Sequence, residues 1–298
     1  MRTSAKSFFL CGEIMKKSKT VEEQLQILEK RGLVIENRDR AIEILRNVNY
    51  YTLTGYLFPF KQGEKYQNGT SMNLAIKLYH FDNEIRNILM ALMVEAEEKL
   101  KTRIAYNIAI AHPEDPLIYT DINYFKSEND HSRFMADFQN NVRNNREVPF
   151  VKHHIQKYRS QFPIWVAVTL FTLGNLKYLY KNIPSRDRKN ISREFNLSPK
   201  TFDSWIDTLR ILRNKLAHNM RLYRTTFQRT PKLEKHHTVR IENNRLFANF
   251  VLLKYLLDNS EVWKEAVINL DGVLIKYQDS IELSSIGFPK DWKTILLS

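Results

Sequence analysis

Glycine is scarce in this chain, with 8 residues in 298 against roughly 7 % in an average protein. Because glycine enters left-handed turns without strain, a chain with so few glycines has few tight turns. The scarcity excludes an all-β fold and a glycine-rich dinucleotide-binding fold, and it favours helices. The sequence also lacks a glycine-rich phosphate loop, which disfavours nucleotide hydrolysis.

Cysteine is rarer still. The single cysteine, Cys11, excludes an internal disulfide and a thiolate metal cluster, and it suits a reducing compartment. The adjacent histidines His153-His154 and His236-His237 would point apart on a helix or strand, and they have no carboxylate or cysteine partner at ligand spacing. We therefore expect neither a metal site nor a cofactor.

Long apolar runs are also missing. The most apolar stretch, residues 163–173, is shorter than the roughly 18 residues that a membrane span requires. The N-terminal residues lack the apolar centre of a signal peptide. The sequence therefore predicts a cytoplasmic protein that does not enter a membrane.

Acidic residues are outnumbered, with 33 Asp+Glu against 46 Lys+Arg and a formal net charge of +13. Such an excess of positive charge indicates an anionic partner, with nucleic acid and an acidic membrane surface as the two candidates. Hydrophobic residues make up 43 % of the chain, which is enough for a buried core and excludes wholesale disorder.

Helical periodicity dominates the chain and predicts an all-α fold. Residues 72–111 contain no glycine or proline and predict one or two long helices. We expect an extended or turning aromatic segment at 50–60, and a loop with a short helix at 117–150. The predicted organisation is an N-terminal helical segment packed on the core (1–66), a helical domain (67–280) and a C-terminal tail (281–298).

Two capping signals predict where helices begin. Thr20, with Glu23 three residues later, forms a capping box ahead of an apolar stripe. Ser198 followed by Pro199 is typical of a helix with proline in its first turn.

The most informative segment is residues 203–224, which we interpret as one helix. At about 100° per residue, its apolar side chains fall within roughly 80° of one another and form the core side: Trp205, Leu209, Leu212, Leu216, Met220 and Tyr223. The adjoining face carries arginines, an amide and an imidazole around a small alanine: Arg210, Arg213, Asn214, Ala217, His218, Arg221 and Arg224. The small alanine would let a polynucleotide or another backbone approach closely.

A solvated helix face is the plain alternative for this surface. Solvated faces usually mix glutamate with lysine, whereas residues 208–241 hold nine Lys+Arg and one acid, Glu234. Arginine outnumbers lysine there six to three, and its planar fork suits bidentate phosphate contacts. The charge therefore favours RNA over a membrane as the partner. It also indicates that the partner binds to this one face and not to the whole surface.

His218 adds the possibility of chemistry, because an imidazole exchanges protons near neutral pH. RNA cleavage without metal needs a base for the 2′-OH, an acid for the leaving 5′-oxygen and a cation for the phosphorane. One histidine and one arginine do not fill three roles, whereas two copies of the helix do. The sequence thus predicts a homodimer with a composite site.

The segment Leu-Arg-Asn-x-x-Ala-His-x-x-Arg-Leu-Tyr, from Leu212 to Tyr223, resembles the signature of the Abi-like family of phage abortive-infection proteins (AbiD/AbiF type). Its Arg-x4-His core resembles the active-site motif of HEPN-superfamily ribonucleases. The resemblance continues at residues 24–33, 49–56, 79–82, 163–165 and 287–292. The chain departs from the family pattern after the Arg-x4-His core. The family often has a second histidine and a serine where this chain has Asn219 and Met220, and Trp-Asn-Arg where it has Tyr223-Arg224-Thr225.

The resemblance implies a HEPN-like helical bundle with a small N-terminal helical and aromatic extension. It also implies a metal-independent endoribonuclease toxin of phage defence, restrained by or complexed with a small structured RNA. It implies Arg213 and His218 as the catalytic pair, with Asn214 as the polar residue beside the arginine. A family arginine near the end of the first long helix corresponds to Lys101, and Glu95, Glu97 and Glu98 are candidates to orient the pair or to lie on a solvated face. The products would carry 2′,3′-cyclic phosphate.

The basic residues predicted to bind RNA lie on and around this helix and in two other basic stretches: Arg210, Lys215, Arg221, Arg224, Arg229, Lys152 and Arg188. A second hypothesis uses the same residues without catalysis. In it the protein is an RNA-binding module that forms a ribonucleoprotein with a cognate small RNA.

Overall fold

A computed structural model of the chain describes residues 17–233, 241–257 and 260–298. Cys11 and the His236-His237 pair lie outside these residues. The chain divides into two compact units, Met1–Ile76 and Lys77–Ser298. The described residues are mostly helical, with one two-stranded sheet among them, so the all-α prediction is confirmed.

The first unit contains short helices and a small hairpin: α1 (Val21–Lys30), α2 (Arg38–Asn47), α3 (Tyr50–Gly55), β1 (Lys61–Gln62) and β2 (Lys65–Tyr66). The predicted capping box at the start of α1 is confirmed, since the Thr20 hydroxyl accepts from the Glu23 N–H and the Glu23 carboxylate accepts from the Thr20 N–H. In the hairpin, Lys61 pairs with Tyr66 across the turn at Gly63, whose φ is +61°.

The aromatic segment at 50–60 is helical rather than extended, so that prediction was wrong. The Asn49 side chain accepts from the Tyr51 N–H and starts α3. A 3-10 turn, Phe58–Phe60, follows. Leu53, Tyr56 and Leu57 are buried, so the aromatic spacing reflects a short helix packed on one side.

Residues 72–111 form one uninterrupted helix, α4 (Met72–Ala111), of 40 residues, as the absence of glycine and proline predicts. The second unit continues with α5 (Glu128–Asn144), α6 (Pro149–Lys157), α7 (Ile164–Ala167), α8 (Leu173–Asn182), α9 (Ser185–Arg193), α10 (Pro199–Ala217), α11 (Leu246–Leu257), α12 (Glu261–Lys276) and α13 (Trp292–Leu297). Helix α8 packs against both α5 and α10, and α11 contacts α10 and α13. Helix α11 is apolar on all sides and almost wholly buried, as expected of a central helix.

The region 117–150 contains more structure than the expected loop with a short helix. Helix α5 is 17 residues long, begins at a Ser127 cap and buries Phe134 and Phe138 one turn apart. The cluster of asparagines lies at its C-terminal end, where the Asn141 amide donates to the Leu170 carbonyl at 3.0 Å. Among the described residues, no helix is both long enough and apolar enough to cross a membrane.

Candidate active site

Helix α10 carries the predicted catalytic pair. It begins as predicted, with the Ser198 hydroxyl accepting from the Thr201 N–H and proline in the first turn. Its core side is also as predicted over the helical part, with Trp205, Leu209, Leu212 and Leu216 buried. Because these side chains are fixed in the interior, the opposite face of the same turns is directed outwards.

The helix ends at Ala217, so the prediction of one helix over 203–224 was wrong. His218 is the C-cap, and Asn219 adopts a left-handed φ of +50°. The N–H of Asn219 donates to the Leu216 carbonyl and that of Met220 to the Lys215 carbonyl, the pattern of a Schellman cap. Asparagine is one of the few residues that tolerates this conformation.

The early end of the helix changes which side chains share a face. Met220, expected in the core, is 49 % exposed, and Leu222 is buried in its place. Arg221 and Arg224 lie beyond the helix and do not continue the helical face that contains Arg210. A helical-wheel calculation assumes an unbroken helix, and tertiary contacts made by α4 end this one.

Two buried charged residues of α4 hold the segment after the cap. The Asp82 carboxylate is fully buried and accepts from the backbone N–H of Leu222 at 2.6 Å and of Tyr223 at 2.8 Å. One turn later, the nearly buried Arg86 donates to the Met220 carbonyl at 2.8 Å. Buried backbone groups need such partners, so these two side chains set the path of the chain that leaves His218.

Sequence reasoning included Asp82 only within the family resemblance and missed Arg86. The available signal was a charged pair four residues apart on the same side of the helix as the apolar residues Phe81, Ile85 and Leu89, all of which are buried. Charged groups are rarely buried unless they are bonded.

The candidate site is the exposed last turn of α10. Arg213, Asn214, Ala217 and His218 are all exposed, with Arg213 next to Ala217 and Asn214 next to His218 at the i,i+4 spacing of a helix surface. Within the part of the chain that the structure describes, the Arg213 guanidinium, the Asn214 amide and the His218 imidazole have no side-chain hydrogen bond or ion pair. These groups are therefore free to contact an external ligand.

The neighbouring predicted RNA-binding residues are engaged within the chain. Arg210 forms two hydrogen bonds to Asp207, at 3.1 and 2.9 Å, and Lys177 donates to the same carboxylate at 2.7 Å. Arg229 lies 3.7 Å from Asp207. Arg224, with a left-handed φ of +53°, pairs with Glu282 at 2.7 Å.

The remaining predicted RNA-binding residues are spread over several elements. The Lys215 ammonium lies 5.7 Å from the centre of the Phe227 ring, and Arg221 is partly exposed in the segment after the cap. Lys152 is on α6, 3.7 Å from Glu147, and Arg188 is on α9 over the Tyr180 ring at 5.2 Å. The last two residues therefore belong to separate elements from the Arg213–His218 turn.

The carboxylates proposed as orienters of the pair have other contacts. Glu97 pairs with Lys101 at 2.8 Å, and Glu98 accepts from Thr102 at 3.5 Å. Glu95 is exposed. Lys101 is thus held by a residue of its own helix.

Metal coordination finds no support in the side-chain arrangement. No group of three or more His, Cys, Asp or Glu side chains suited to a metal ion occurs within residues 17–233, 241–257 and 260–298. His154 donates from Nδ1 to the Phe150 carbonyl at 2.8 Å and stacks on Phe162.

Asp207 gives the surface beside the site a testable dependence on pH. Burial raises the pKa of this carboxyl, but hydrogen bonds from Lys177 and Arg210 outweigh burial and hold the pKa below its ordinary value. A depressed pKa stabilises the folded state above the unfolded pKa, and this stability is lost as pH falls through the folded pKa. We expect Asp207→Asn to lose about 1 kcal/mol of unfolding free energy at pH 7.

Urea denaturation at a series of pH values tests this expectation. The difference between Asp207→Asn and the parent should shrink as pH falls below about 4. The variant Asp39→Asn, which changes an exposed carboxylate on α2, serves as the control. A difference of constant size down to pH 2 would contradict the assignment.

Residues 43–224 match the family model described as Abi-like protein. The chain belongs to the Abi-like protein family. Membership associates it with abortive infection, a form of phage defence. The matched region contains both the Asp82–Arg86 support on α4 and the exposed turn with Arg213 and His218. No curated protein and no solved structure matches the chain.

Proposed function

We propose that this Abi-like protein is a metal-independent endoribonuclease of the HEPN type, which cleaves RNA in the cytoplasm during abortive infection. Arg213 and His218 form the catalytic pair and Asn214 supports them. The observation that carries the proposal is the exposed last turn of α10, where within six consecutive residues a guanidinium, an amide and an imidazole are exposed and have no side-chain partners among the described residues.

The residue types suit phosphodiester transesterification. One imidazole takes the proton of the 2′-OH as its oxygen attacks phosphorus, and a second imidazole gives a proton to the 5′-oxygen as the P–O5′ bond breaks. The Arg213 guanidinium stabilises the charge of the phosphorane between these steps. The products are a 2′,3′-cyclic phosphate and a free 5′-hydroxyl.

Two copies of the chain are required for this scheme, because each provides one imidazole. Ala217 supports close pairing of the two turns, since its small exposed side chain leaves room between Arg213 and His218 for a second backbone or for RNA. Asn214 is one turn before His218, and its carbonyl accepts the His218 backbone N–H at 3.0 Å. In the proposed homodimer, the Asn214 side-chain amide orients an imidazole.

The basic residues near the site would hold the RNA backbone. Lys215 and Arg221 lie in and just after the cap. Arg210, Arg224 and Arg229 contact carboxylates in the folded chain, so each would bind a phosphate either in place of its carboxylate or in addition to it. A structured small RNA that competes for the same residues would restrain the enzyme. Co-purification of such an RNA without cleavage by either the free or the bound protein would favour the ribonucleoprotein alternative instead.

Induced expression in a bacterial host tests the proposed function. We expect the parent protein to arrest growth, and His218→Ala and Arg213→Ala to relieve the arrest, because both side chains are exposed and their loss spares the fold. Lys290→Ala, a change in the exposed C-terminal region, is the control that should remain toxic at equal protein level. Equal toxicity of His218→Ala and the parent would contradict the proposal.

A further inference from the structure

A cleft beside α6 and α7 is lined by aromatic and polar side chains and has a volume of about 480 Å³. Its walls include His153, His154, Tyr158, Gln161 and Trp165. This volume falls within the range of small-ligand sites, in which an apolar lining is combined with a few polar groups. The residues that line the cleft are all different from those of the exposed turn of α10.

One wall of the cleft is a ladder of rings. Phe162 is buried and stacks on His154 with ring centres 5.3 Å apart and an interplanar angle of 17°. Tyr158 follows at 5.2 Å from His154, and its ring is partly exposed. Such a ladder offers aromatic faces and edges to a further flat ring.

Trp165 contributes a second aromatic surface. Its side chain is 54 % exposed although it belongs to the short helix α7, whose neighbours Ile164 and Ala167 are buried. A large indole that remains in solvent beside a preformed cleft is the arrangement expected of a stacking platform. Gln161 and His153 provide the hydrogen-bonding groups at the same opening.

The backbone that presents Tyr158 and Gln161 is held in an uncommon conformation. Arg159 and Ser160 are consecutive non-glycine residues with φ values of +52° and +63°. Hydrogen bonds from the Ser160 N–H to the His154 carbonyl and from the Gln161 N–H to the Tyr158 carbonyl maintain the turn. Strained pairs of this kind persist where the surroundings fix them and are common at ligand sites.

Charge decides which occupant suits the cleft. Residues 148–166, which include the ring ladder and Trp165, contain three basic residues and no Asp or Glu: Lys152, Lys157 and Arg159. All three are exposed, and Lys152 lies 3.7 Å from Glu147. An apolar peptide would gain nothing from this positive charge. A polyanion that carries flat rings matches both the positive charge and the aromatic surfaces of the cleft.

We infer that this cleft binds an unpaired nucleobase of single-stranded RNA. The base stacks on Trp165 and the Tyr158 edge of the ring ladder, its edge meets Gln161 and His153, and the flanking phosphates contact Lys157 and Arg159. The inference rests on the proposed function in taking RNA as the partner. It adds that the preferred RNA has an unpaired segment and that recognition extends to a second site.

Tryptophan fluorescence tests the inference directly, because Trp165 is the one exposed tryptophan of the four in the chain, and Trp205, Trp263 and Trp292 are 2, 3 and 8 % exposed. The titration uses the His218→Ala chain to prevent cleavage, with a ten-residue oligoadenylate and an abasic oligomer of equal length as probes. We expect oligoadenylate to quench the fluorescence and to bind about 10-fold more tightly than the abasic oligomer.

Variants separate stacking from general charge attraction. Trp165→Leu should weaken oligoadenylate binding about 10-fold, measured by fluorescence anisotropy of a labelled oligomer, and Trp165→Phe should restore most of it. Lys157→Gln should reduce the slope of log K against log salt by about 0.7. Tyr51→Leu, another exposed aromatic, and Lys264→Gln, an exposed lysine on α12, are the controls and should change neither quantity.

Several results would overturn the inference. These are equal affinity for the oligoadenylate and the abasic oligomer, unchanged binding by Trp165→Leu, or quenching by a proline-rich peptide but not by oligoadenylate. Failure of the proposed catalysis is distinguishable, because an inactive parent chain could still bind oligoadenylate through Trp165. Conversely, if the parent chain cleaves RNA and Trp165→Leu binds oligoadenylate normally, base binding in the cleft is contradicted and the proposed function is not.

Discussion

An Asp82→Ala variant is expected to lose about 3–5 kcal/mol of its free energy of unfolding. The substitution removes one carboxylate that accepts two backbone N–H groups, from Leu222 and Tyr223, in a fully buried position. Each donor left without a partner costs about 1–3 kcal/mol. Chemical denaturation followed by circular dichroism measures the loss.

Asp82→Asn keeps one acceptor oxygen and should lose about half as much stability, so it remains informative if Asp82→Ala does not fold. RNA cleavage should fall in both variants, since the backbone that Asp82 holds begins at Leu222, four residues after His218. Glu95→Ala, which removes an exposed carboxylate from the same helix, is the matched control and should leave stability within about 0.5 kcal/mol. Unchanged stability of Asp82→Ala would contradict the role assigned to this carboxylate.

The second large effect is expected on catalysis alone. His218→Ala should reduce the rate of RNA cleavage by about 10³-fold, the middle of the range for loss of a positioned acid or base. Arg213→Ala should reduce it by about 10²–10³-fold, because it removes the cation that stabilises the phosphorane. Both side chains are exposed at the end of α10, so the free energy of unfolding should remain within about 0.5 kcal/mol of the parent value.

Single-turnover cleavage of a labelled RNA measures these rates. The double variant should be little worse than His218→Ala, because groups that act together in one step are not additive. Met220→Leu, a change at a half-exposed position beside the motif, is the control and should cleave at close to the parent rate. Loss of activity that accompanied unfolding of Arg213→Ala would contradict a purely chemical role.

Local signals predicted the helix starts well. The Thr20–Glu23 capping box and the Ser198-Pro199 start are contacts between residues three or fewer apart, so the sequence contains all the information they need. The length of α4 was predictable for the same reason, since nothing in residues 72–111 interrupts a helix. The 50–60 segment was harder, because its aromatic side chains suit either a strand or a short buried helix.

The end of α10 could not be predicted from its own residues. Apolar spacing continues through Met220 and Tyr223, yet Asp82 and Arg86, more than 130 positions away, bind the backbone beyond His218. Asn219 at the left-handed position was the local signal for a C-cap.

In the candidate site, too, the features that depend on local spacing were predictable and those that depend on distant contacts were not. Arg213, Asn214 and His218 lie within six consecutive residues on the side of α10 away from its buried stripe, so helical spacing alone predicts that they face outward. Arg210 is bonded to Asp207, and Arg224 is bonded to Glu282, which lies 58 residues further along the chain. Sequence charge counts treat all of these arginines as equally available, whereas the structure leaves Arg213 without a partner in the described residues and pairs the other two.

The chemistry of the cleaved ends tests the proposed mechanism most directly. A labelled RNA incubated with the parent protein in excess EDTA should yield 2′,3′-cyclic phosphate and 5′-hydroxyl ends, and the His218→Ala variant should yield about 10³-fold less of both. Cleavage that requires a divalent cation, products with a 3′-hydroxyl, or an undiminished rate in His218→Ala would contradict a ribonuclease built on Arg213 and His218.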